Sequence, residues 1–399
     1  MQLQNWKLIL GILTAIVFIM SSSYTMIMPF LPLFLLKDLG VSQDDVTMWT
    51  GAIFSVTFFI STILAPIWGK LTDTKGKRVM ALRASISLAV SYFVGALVQT
   101  PLQLFGMRML QGFAAGLWSV CVVYCTALVP SDNLGFGLGV LQAGQTAGQA
   151  VGPLLGGAMA TYLGIRNSFL WAGCMYIIIT LVFIFLIPEP KVAHTPKEKA
   201  KPTTSLLRNP IILELLIYGC LVKVVTLLIQ PILVLYVTNL EPDNPQVMFL
   251  AGLVFSLIGI ASAITAPWWG RYGQKHGFYK VLALSCLLAG IISACCALPR
   301  TILSFGIMNF VYGLFFAGTI PTLNALLTQA TDPEHRGLAF GYQFSSDKFG
   351  SMLGPLLGGA IATCFTMSSV FYASGLILIL ISSIVYLQHI RKQLLFIFL

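Results

Sequence analysis

The stretch Gly152-Pro-Leu-Leu-Gly-Gly157 recurs as Gly354-Pro-Leu-Leu-Gly-Gly359 in the second half of the chain. A second pair, Ala65-Pro-Ile-Trp-Gly69-Lys70 and Ala266-Pro-Trp-Trp-Gly270-Arg271, keeps nearly the same offset. Chance does not hold one register over so long a distance, so we interpret the halves as internal repeats. The smaller matches of Gly112 with Gly313 and of Pro29 with Pro231 follow the same register.

Composition places both repeats in lipid. The 399 residues are 57% hydrophobic and 9% charged, whereas a soluble domain carries about a quarter charged residues. A hydrocarbon core of roughly 30 Å takes about 20 apolar helical residues to cross. We therefore predict an all-α membrane protein with twelve transmembrane helices, at approximately 7–30, 47–68, 79–98, 102–126, 136–160, 167–187, 211–237, 247–268, 280–298, 301–325, 338–361 and 368–388.

The loops between these spans give the predicted orientation. If the N-terminus is inside, the outer loops receive only Lys37, Arg166 and Arg300, while the inner side receives the other clustered Lys and Arg residues. This asymmetry follows the positive-inside rule, so we predict a multi-pass protein of the cytoplasmic (inner) membrane with both termini in the cytoplasm. The basic residues of the inner loops thereby account for the net charge of +10. We expect the lipid bilayer as a partner and no nucleic acid.

One polar, proline-interrupted segment divides the chain into six spans plus six. We predict an N-terminal six-helix bundle at 1–187, a cytoplasmic linker at 188–210 and a C-terminal six-helix bundle at 211–399. Two pseudo-symmetric bundles related by an axis along the membrane normal are typical of a transporter that rocks around a midplane site.

The joint after span 2 is the first candidate functional motif. It reads Gly69-Lys-Leu-Thr-Asp73-Thr-Lys-Gly76-Lys77-Arg78. Glycine at both ends allows a tight turn between antiparallel helices, and Asp73 is placed to cap the next helix or to pair with a basic group. An ordinary basic cytoplasmic loop is the alternative interpretation.

Span 4 carries an embedded cation, Arg108, followed by Gln111 and Gly112. Arg108 lies about two helical turns, roughly 10 Å, below the predicted outer end. A charge at that depth is costly unless it faces protein or water, which favours a functional role. Snorkelling outward as a structural residue is the alternative, and the corresponding residue of the second repeat is Asn309.

Span 5 carries a stripe of small residues. Gly144, Gly148, Gly152 and Gly156 recur at every fourth position, with Pro153 and Gly157 beside them. Such a stripe lets another helix approach closely. Span 11 repeats it with Gly350, Gly354 and Gly358. Close packing alone, or packing combined with a bending point and a seal between the halves, are both consistent with the pattern.

Together the three motifs resemble the signature motifs of the major facilitator superfamily, and the span-5 pattern resembles the antiporter motif of its twelve-span drug:proton antiporter branch, which includes multidrug efflux proteins. The resemblance covers essentially the whole chain. It implies that the loop residues latch the outward-facing state through Asp73, that Arg108 takes part in proton coupling, and that the span-5 stripe prevents leak. In the second repeat Gln274 stands where Asp73 would recur, so only the first half is expected to carry the latch.

Carboxylates within spans are limited to Glu214 and Asp347. Asp347 is the better proton carrier, because alternating access would expose it to each side of the membrane in turn. A permanent, structural ion pair with Lys223 or another cation is the alternative. Embedded cations, Arg108, Lys223 and Lys348, outnumber the carboxylates, a balance that suits anionic or zwitterionic cargo at least as well as cationic cargo.

Polar and aromatic side chains within the spans are candidates for a substrate cavity: Gln142, Gln145, Gln149, Lys223, Asn309, Asn324, Gln343, Trp118, Phe310 and Tyr312. The eight Cys and four His are scattered, so we expect no metal and no cofactor. No nucleotide-binding loop and no catalytic constellation is present, which argues against a primary pump or an enzyme. We therefore predict a monomeric, proton-coupled exporter of small amphiphilic compounds, with a dedicated exporter of an anionic metabolite such as a siderophore as the alternative.

Overall fold

The computed structural model describes residues 6–130, 133–189, 206, 208–332 and 335–390, with the side chains of residues 73, 74, 389 and 390 outside that description. This part of the chain is helical and contains no strand. Ten helical segments of this part, some of them made of two consecutive helices, are long and apolar enough to cross a membrane. Helices satisfy every backbone hydrogen bond internally, as the bilayer core requires. The predicted all-helical membrane fold is confirmed.

The first repeat supplies the helices α1 to α8. Their bounds are Trp6–Ile27 (α1), Leu31–Lys37 (α2), Val46–Lys75 (α3), Lys77–Leu97 (α4), Pro101–Ala114 (α5), Leu117–Leu128 (α6), Leu134–Tyr162 (α7) and Ile165–Phe185 (α8). A short 3-10 turn, Met28–Phe30, joins α1 to α2. The pairs α1 with α7 and α4 with α8 pack extensively along their lengths.

The second repeat supplies α9 to α15. Their bounds are Pro210–Leu240 (α9), Val247–His276 (α10), Phe278–Cys295 (α11), Ile302–Phe316 (α12), Thr319–Gln329 (α13), Arg336–Cys364 (α14) and Met367–Val385 (α15). The pairs α9 with α14 and α11 with α15 pack as their counterparts do in the first repeat. The internal repeat read from the sequence is therefore also a repeat of helix pairing.

The chain forms two compact units. The first unit is Met1–Thr195 with Asn244–Ser256, and the second is Pro196–Asp243 with Leu257–Leu399. Most of the predicted linker at 188–210 lies outside the described residues, so the division into 1–187, 188–210 and 211–399 stays a prediction.

Two predicted spans, 5 and 11, are absent from the ten strongly apolar helices. They correspond to α7 and α14, which have 29 residues each and, at about 1.5 Å per residue, are long enough to cross the bilayer. Both helices are rich in glycine and carry polar residues, glutamines in α7 and Gln343, Asp347 and Lys348 in α14. Both helices pack against a strongly apolar partner, α1 or α9.

The predicted spans 4 and 10 are not single helices, which corrects the sequence analysis. Span 4 breaks between α5 and α6 at Gly116, whose φ is 119°, and span 10 breaks between α12 and α13 at Gly318. The left-handed Gly116 interrupts the helical hydrogen-bond ladder without steric cost, whereas Gly318 keeps a right-handed backbone with φ −74°. Spans 2 and 8 are also longer than predicted, because their helices continue through polar residues to Lys75 and His276.

Candidate functional site

The second unit contains a small cleft. Helices α9, α13 and α14 line it through Gly219, Val222, Lys223, Ile320, Leu323, Asn324, Gln343 and Asp347. Four residues predicted from the sequence thus come together: Lys223, Asn324, Gln343 and Asp347.

Asp347 is half-buried in this cleft. Its Oδ1 accepts a hydrogen bond of 2.8 Å from Nε2 of Gln343, one helical turn earlier. The amide of Gln343 in turn packs directly against Gly219 of α9, where any larger side chain would displace it. The carboxylate is therefore held by an amide donor and faces a cleft that also contains a cation.

Lys223 lines the same cleft as Asp347, but in the described part of the chain the two side chains make no salt bridge within 4 Å. The alternative of a permanent Asp347–Lys223 ion pair is not what this conformation shows. Lys348 lies over the ring of Phe344, with 5.2 Å between its Nζ and the ring centre. As expected from its position on the helix, Lys348 is not among the cleft residues.

Glu214 lies one turn into α9, at the end predicted to face the cytoplasm. The hydroxyl of Tyr218 donates a hydrogen bond to Glu214 Oε1. Tyr218 is buried and Glu214 is half-buried. Glu214 is not a lining residue of the cleft, so the structure separates it from Asp347.

Arg108 is one of the largest buried side chains of the first unit, with 2% of its surface exposed. Its Nη1 donates to Oε1 of Gln111 at 2.5 Å, and its Nη2 lies 2.7 Å from the thioether sulfur of Met28. The guanidinium carbon lies 5.6 Å from the ring centre of Phe54. The alternative that Arg108 snorkels outward is therefore wrong, because protein atoms enclose the guanidinium.

The remaining cavity candidates are not gathered at the cleft. Asn309 is buried and donates from Nδ2 to the carbonyl of Phe305 at 2.9 Å, and Tyr312 stacks on Phe316 with ring centres 5.2 Å apart. On α7, Gln142 donates from Nε2 to Oε1 of Gln145 at 3.0 Å. The side chains of Gln142 and Gln149 are exposed, whereas Gln145, Trp118 and Phe310 are half-buried.

The span-5 stripe packs on the backbone of α1. A methyl group added at Gly148 would lie 2.5 Å from the carbonyl oxygen of Phe18, and one at Gly152 would lie 2.6 Å from that of Ser22. One at Gly156 would collide with the carbonyl of Met26. Small residues at this spacing allow two backbones to touch.

The neighbouring face of α7 contacts the first part of α10, which belongs to the same unit. A methyl group on Gly157 would lie 2.8 Å from the carbonyl oxygen of Met248, and Gly252 lies against the carbonyl of Pro153. The helix runs continuously through Pro153. In the second unit Gly350, Gly354 and Gly358 approach the backbone of α9 in the same way.

The loop motif forms a tight turn at one glycine, not at two. Gly69 lies inside α3 with no atom within 4 Å of an added methyl group, so the prediction that both glycines shape the turn is wrong for Gly69. Gly76 alone separates α3 from α4, with φ 94° and ψ 151°. Gly277 adopts φ 94° and ψ 135° at the corresponding joint of the second repeat. Helix α3 continues through Gly69, and Gly76 alone reverses the direction of the chain.

The basic residues of this motif begin α4. Nη2 of Arg78 donates a hydrogen bond to the carbonyl of Ile184, near the end of α8. This contact satisfies a terminal carbonyl and places a cation where the helix dipole favours one. Lys77 is the first residue of α4. The side chain of Asp73, the predicted latch, lies outside the described residues.

The sequence profile of the Major Facilitator Superfamily matches residues 13–249 and 247–393. The chain belongs to the major facilitator superfamily. It is accordingly a membrane transporter and not an enzyme.

Relatives of this superfamily member include drug exporters. The chain is 30% identical over 395 residues to the "Multi-drug resistance efflux pump PmrA homolog" of Lactococcus lactis subsp. lactis (strain IL1403), covering 98% of this chain and 97% of that protein. It is 31% identical over 375 residues to "Multidrug resistance protein MdtG" of Klebsiella pneumoniae (strain 342), covering 93% and 91% of the two chains.

Solved structures of other superfamily members share the fold. A bacterial homolog of the human lysosomal transporter Spinster, in an inward-facing and unoccupied conformation, superposes with a TM-score of 0.82 at 15% identity, covering 97% of each chain. The nucleoside transporter NupG gives a TM-score of 0.77 at 15% identity, covering 96% of this chain and 98% of NupG. Likeness at this identity establishes the fold alone.

The sequence analysis missed the residues that stabilise the broken spans of this transporter. Arg83 of α4 donates from Nη1 to the carbonyl of Phe113 and from Nη2 to that of Ala115, both at 2.9 Å. In the second repeat Nε1 of Trp269 donates to the carbonyl of Leu314 at 2.7 Å. Two features of the sequence could have indicated the break in span 4. Gly116 lies inside an apolar segment, and Arg83 is a basic residue inside the predicted span 3.

Proposed function

We propose that this transporter is a proton-coupled exporter of small amphiphilic compounds, acting by alternating access of its two halves. We place it in the cytoplasmic membrane as a monomer, with both termini inside. The names of the PmrA homolog and of MdtG support drug efflux as the physiological task. The charge pattern of the loops supports the orientation.

The observation that carries the coupling proposal is the cleft around Asp347. A half-buried carboxyl that accepts one amide hydrogen bond and shares its cleft with Lys223 changes the net charge of that cleft when it binds a proton. Protonation leaves the Lys223 charge unbalanced, whereas deprotonation restores balance. A carrier that binds cargo and protons in alternation needs such a charge switch.

Arg108 and Glu214 have supporting roles in this proposal. Arg108 is a buried, permanently charged group in the first unit and biases the field in which protons move. Glu214, bonded to Tyr218 near the predicted cytoplasmic end of α9, exchanges protons with the cytoplasm. Asp73, near the end of α3, is proposed to latch the outward-facing state.

Efflux from cells loaded with a fluorescent amphiphilic dye tests this function. We expect wild-type efflux to stop when a protonophore is added, and Asp347→Asn and Arg108→Ala to reduce efflux strongly. Asp45→Asn is the matched control, because Asp45 bonds to Ser42 in an exposed loop. The coupling proposal would be abandoned if efflux were unchanged by the protonophore, by Asp347→Asn and by Arg108→Ala.

A second candidate is dedicated export of one anionic metabolite, such as a carboxylate siderophore. The embedded Arg108, Lys223 and Lys348 favour it, because they exceed the embedded carboxylates. Comparison of secreted organic acids and chelators between a deletion strain and its parent tests this candidate. Unchanged secretion together with lowered drug tolerance would exclude it.

A further inference from the structure

The surroundings of Arg108 contain more hydrogen-bond donors than acceptors. Arg108 carries five N–H donors and no acceptor. Within the described residues its acceptors are the amide oxygen of Gln111 and the thioether of Met28, and a thioether is a weak acceptor. Nε of Arg108 and Nε2 of Gln111 are buried without any hydrogen-bond partner. A polar atom buried in that way is costly.

The positive charge of Arg108 is likewise uncompensated. Within the described part of the chain, the titratable groups that interact electrostatically with it are Tyr24 and Tyr92, with no carboxylate among them. The predicted spans 1 to 6 contain no Asp or Glu. A guanidinium keeps its proton in proteins, and a buried charge without a counter-ion costs several kcal/mol. The fold therefore holds a cation in a place that lacks a negative partner.

The backbone around Arg108 is held firmly. Thr57 of α3 donates from Oγ1 to the carbonyl of Arg108 at 3.1 Å. A methyl group added at Gly112 would lie 2.7 Å from the carbonyl oxygen of Thr57, so α3 and α5 touch through their backbones. Such close packing fixes the backbone position of Arg108, and the short hydrogen bond to Gln111 fixes the orientation of its guanidinium. The donors are thus preorganised, as a binding site requires.

We propose that Arg108 and Gln111 form the subsite that binds the acid group of the transported compound. The ligand class is an amphiphile bearing one carboxylate or a comparable acid, including zwitterions. Oxygen atoms of the acid accept from the guanidinium of Arg108 and from the Gln111 amide, and they replace the thioether of Met28 as an acceptor. The ring of Phe54 provides an apolar wall. This inference rests on the proposed export function and specifies the cargo.

Binding to the purified full-length protein in detergent tests the subsite. The probes are dansyl-labelled undecanoic acid and its primary amide, which differ only in the charged group. We expect wild type to prefer the acid, and Arg108→Gln to weaken acid binding about tenfold or more, in line with loss of charge-assisted hydrogen bonds, while leaving amide binding unchanged. Arg166→Gln is the matched control, since Arg166 bonds to Asp38 and to the carbonyl of Ala96 and to none of the subsite residues.

Thermal unfolding of the same variants separates binding from a structural role. Removal of an uncompensated buried charge should leave the unfolding temperature of Arg108→Gln unchanged or raise it, and the acid probe should stabilise wild type more than this variant. If Arg108→Gln lowers the unfolding temperature and keeps the full preference for the acid, Arg108 is a structural residue and the proposal is overturned.

Two further outcomes have distinct meanings. If wild type binds acid and amide equally while chloride or inorganic phosphate alone stabilises it through Arg108, the subsite takes a free inorganic anion, which overturns its assignment to the cargo. If proteoliposomes with an imposed pH gradient move neither probe, the export function fails. Arg108-dependent binding of the acid would even then support an acid-binding subsite.

Discussion

Arg83 lies over the indole of Trp68, with 3.9 Å between its guanidinium carbon and the ring centre. The same guanidinium donates to the carbonyls of Phe113 and Ala115, where the break before α6 leaves helix-terminal carbonyls without a partner. Trp68 packs edge-on against Phe113, with ring centres 5.0 Å apart. Three helices, α3, α4 and α5, are thereby joined at the break of span 4.

Arg83→Lys should destabilise the protein by roughly 1–3 kcal/mol, because an ammonium cannot bond two carbonyls and cover an indole ring at once. The measurement is thermal unfolding of the purified protein in detergent. Arg166→Lys is the matched control, because the partly exposed ion pair between Arg166 and Asp38 should contribute only about 0–1 kcal/mol. Equal unfolding temperatures for the two variants would show that Arg83 does not stabilise the break.

The break at Gly116 could not be predicted from the hydropathy of the sequence. Hydropathy reports whether a segment prefers lipid, and spans 4 and 10 are apolar throughout, so both were predicted as continuous helices. The interruption depends on one backbone conformation and on donors supplied by other helices, Arg83 and Trp269. By contrast, the close approach of another helix to α7 follows from glycine spacing, which is a property of a single segment, and was predicted; that the partner is α1 was not.

Trp269→Phe should cost about 0.5–1.5 kcal/mol, because it removes the hydrogen bond from Nε1 to the carbonyl of Leu314 while keeping most of the buried ring. Trp268→Phe, one residue earlier, is the control, since Trp268 is 56% exposed. Chemical or thermal unfolding compares the two. A larger loss in Trp268→Phe than in Trp269→Phe would contradict this assignment.

Gly152→Ala should separate α1 from α7 and reduce both stability and transport, because the added methyl group meets Thr25 and the carbonyl of Ser22. We expect a loss of about 1–3 kcal/mol, the usual cost of overpacking. Gly139→Ala in the same helix has open space and should be neutral or slightly stabilising, because alanine favours helix. Similar behaviour of the two variants would refute close packing along the stripe.

The candidate site was only partly predictable for a comparable reason. Asp347, Gln343 and Gly350 lie on one helix, so their spacing indicated a common neighbourhood. Asn309 and Tyr312 looked equally suitable as polar or aromatic residues within a span, yet both are buried against their own helix and its neighbours. A single sequence predicts which face of a helix is buried only where polar and apolar residues form separate stripes. Helix α12 is apolar on every side, so its buried face could not be predicted.

Gly76→Ala should destabilise the joint between α3 and α4 by about 1–2 kcal/mol, because a φ of 94° is unfavourable for any residue with a side chain. Gly69→Ala serves as the comparison. Gly69 lies in a helix with open space around it, so its substitution should leave stability unchanged. If Gly69→Ala nevertheless impairs efflux at full stability, that glycine serves the predicted latch and not the turn.

Gly219→Ala should impair the proposed proton-coupled efflux without unfolding the protein. The added methyl group would overlap the amide of Gln343, which is the end of a flexible side chain and can rotate away at little cost. That rotation removes the hydrogen bond that Gln343 donates to Asp347 and narrows the cleft next to Lys223. Gly341→Ala on α14, where an added methyl group meets nothing, is the control for the extra methyl group. Efflux and thermal unfolding are measured together for both variants. Normal dye efflux by Gly219→Ala would show that the Gln343–Asp347 contact is dispensable, and the role assigned to this cleft would then have to be abandoned.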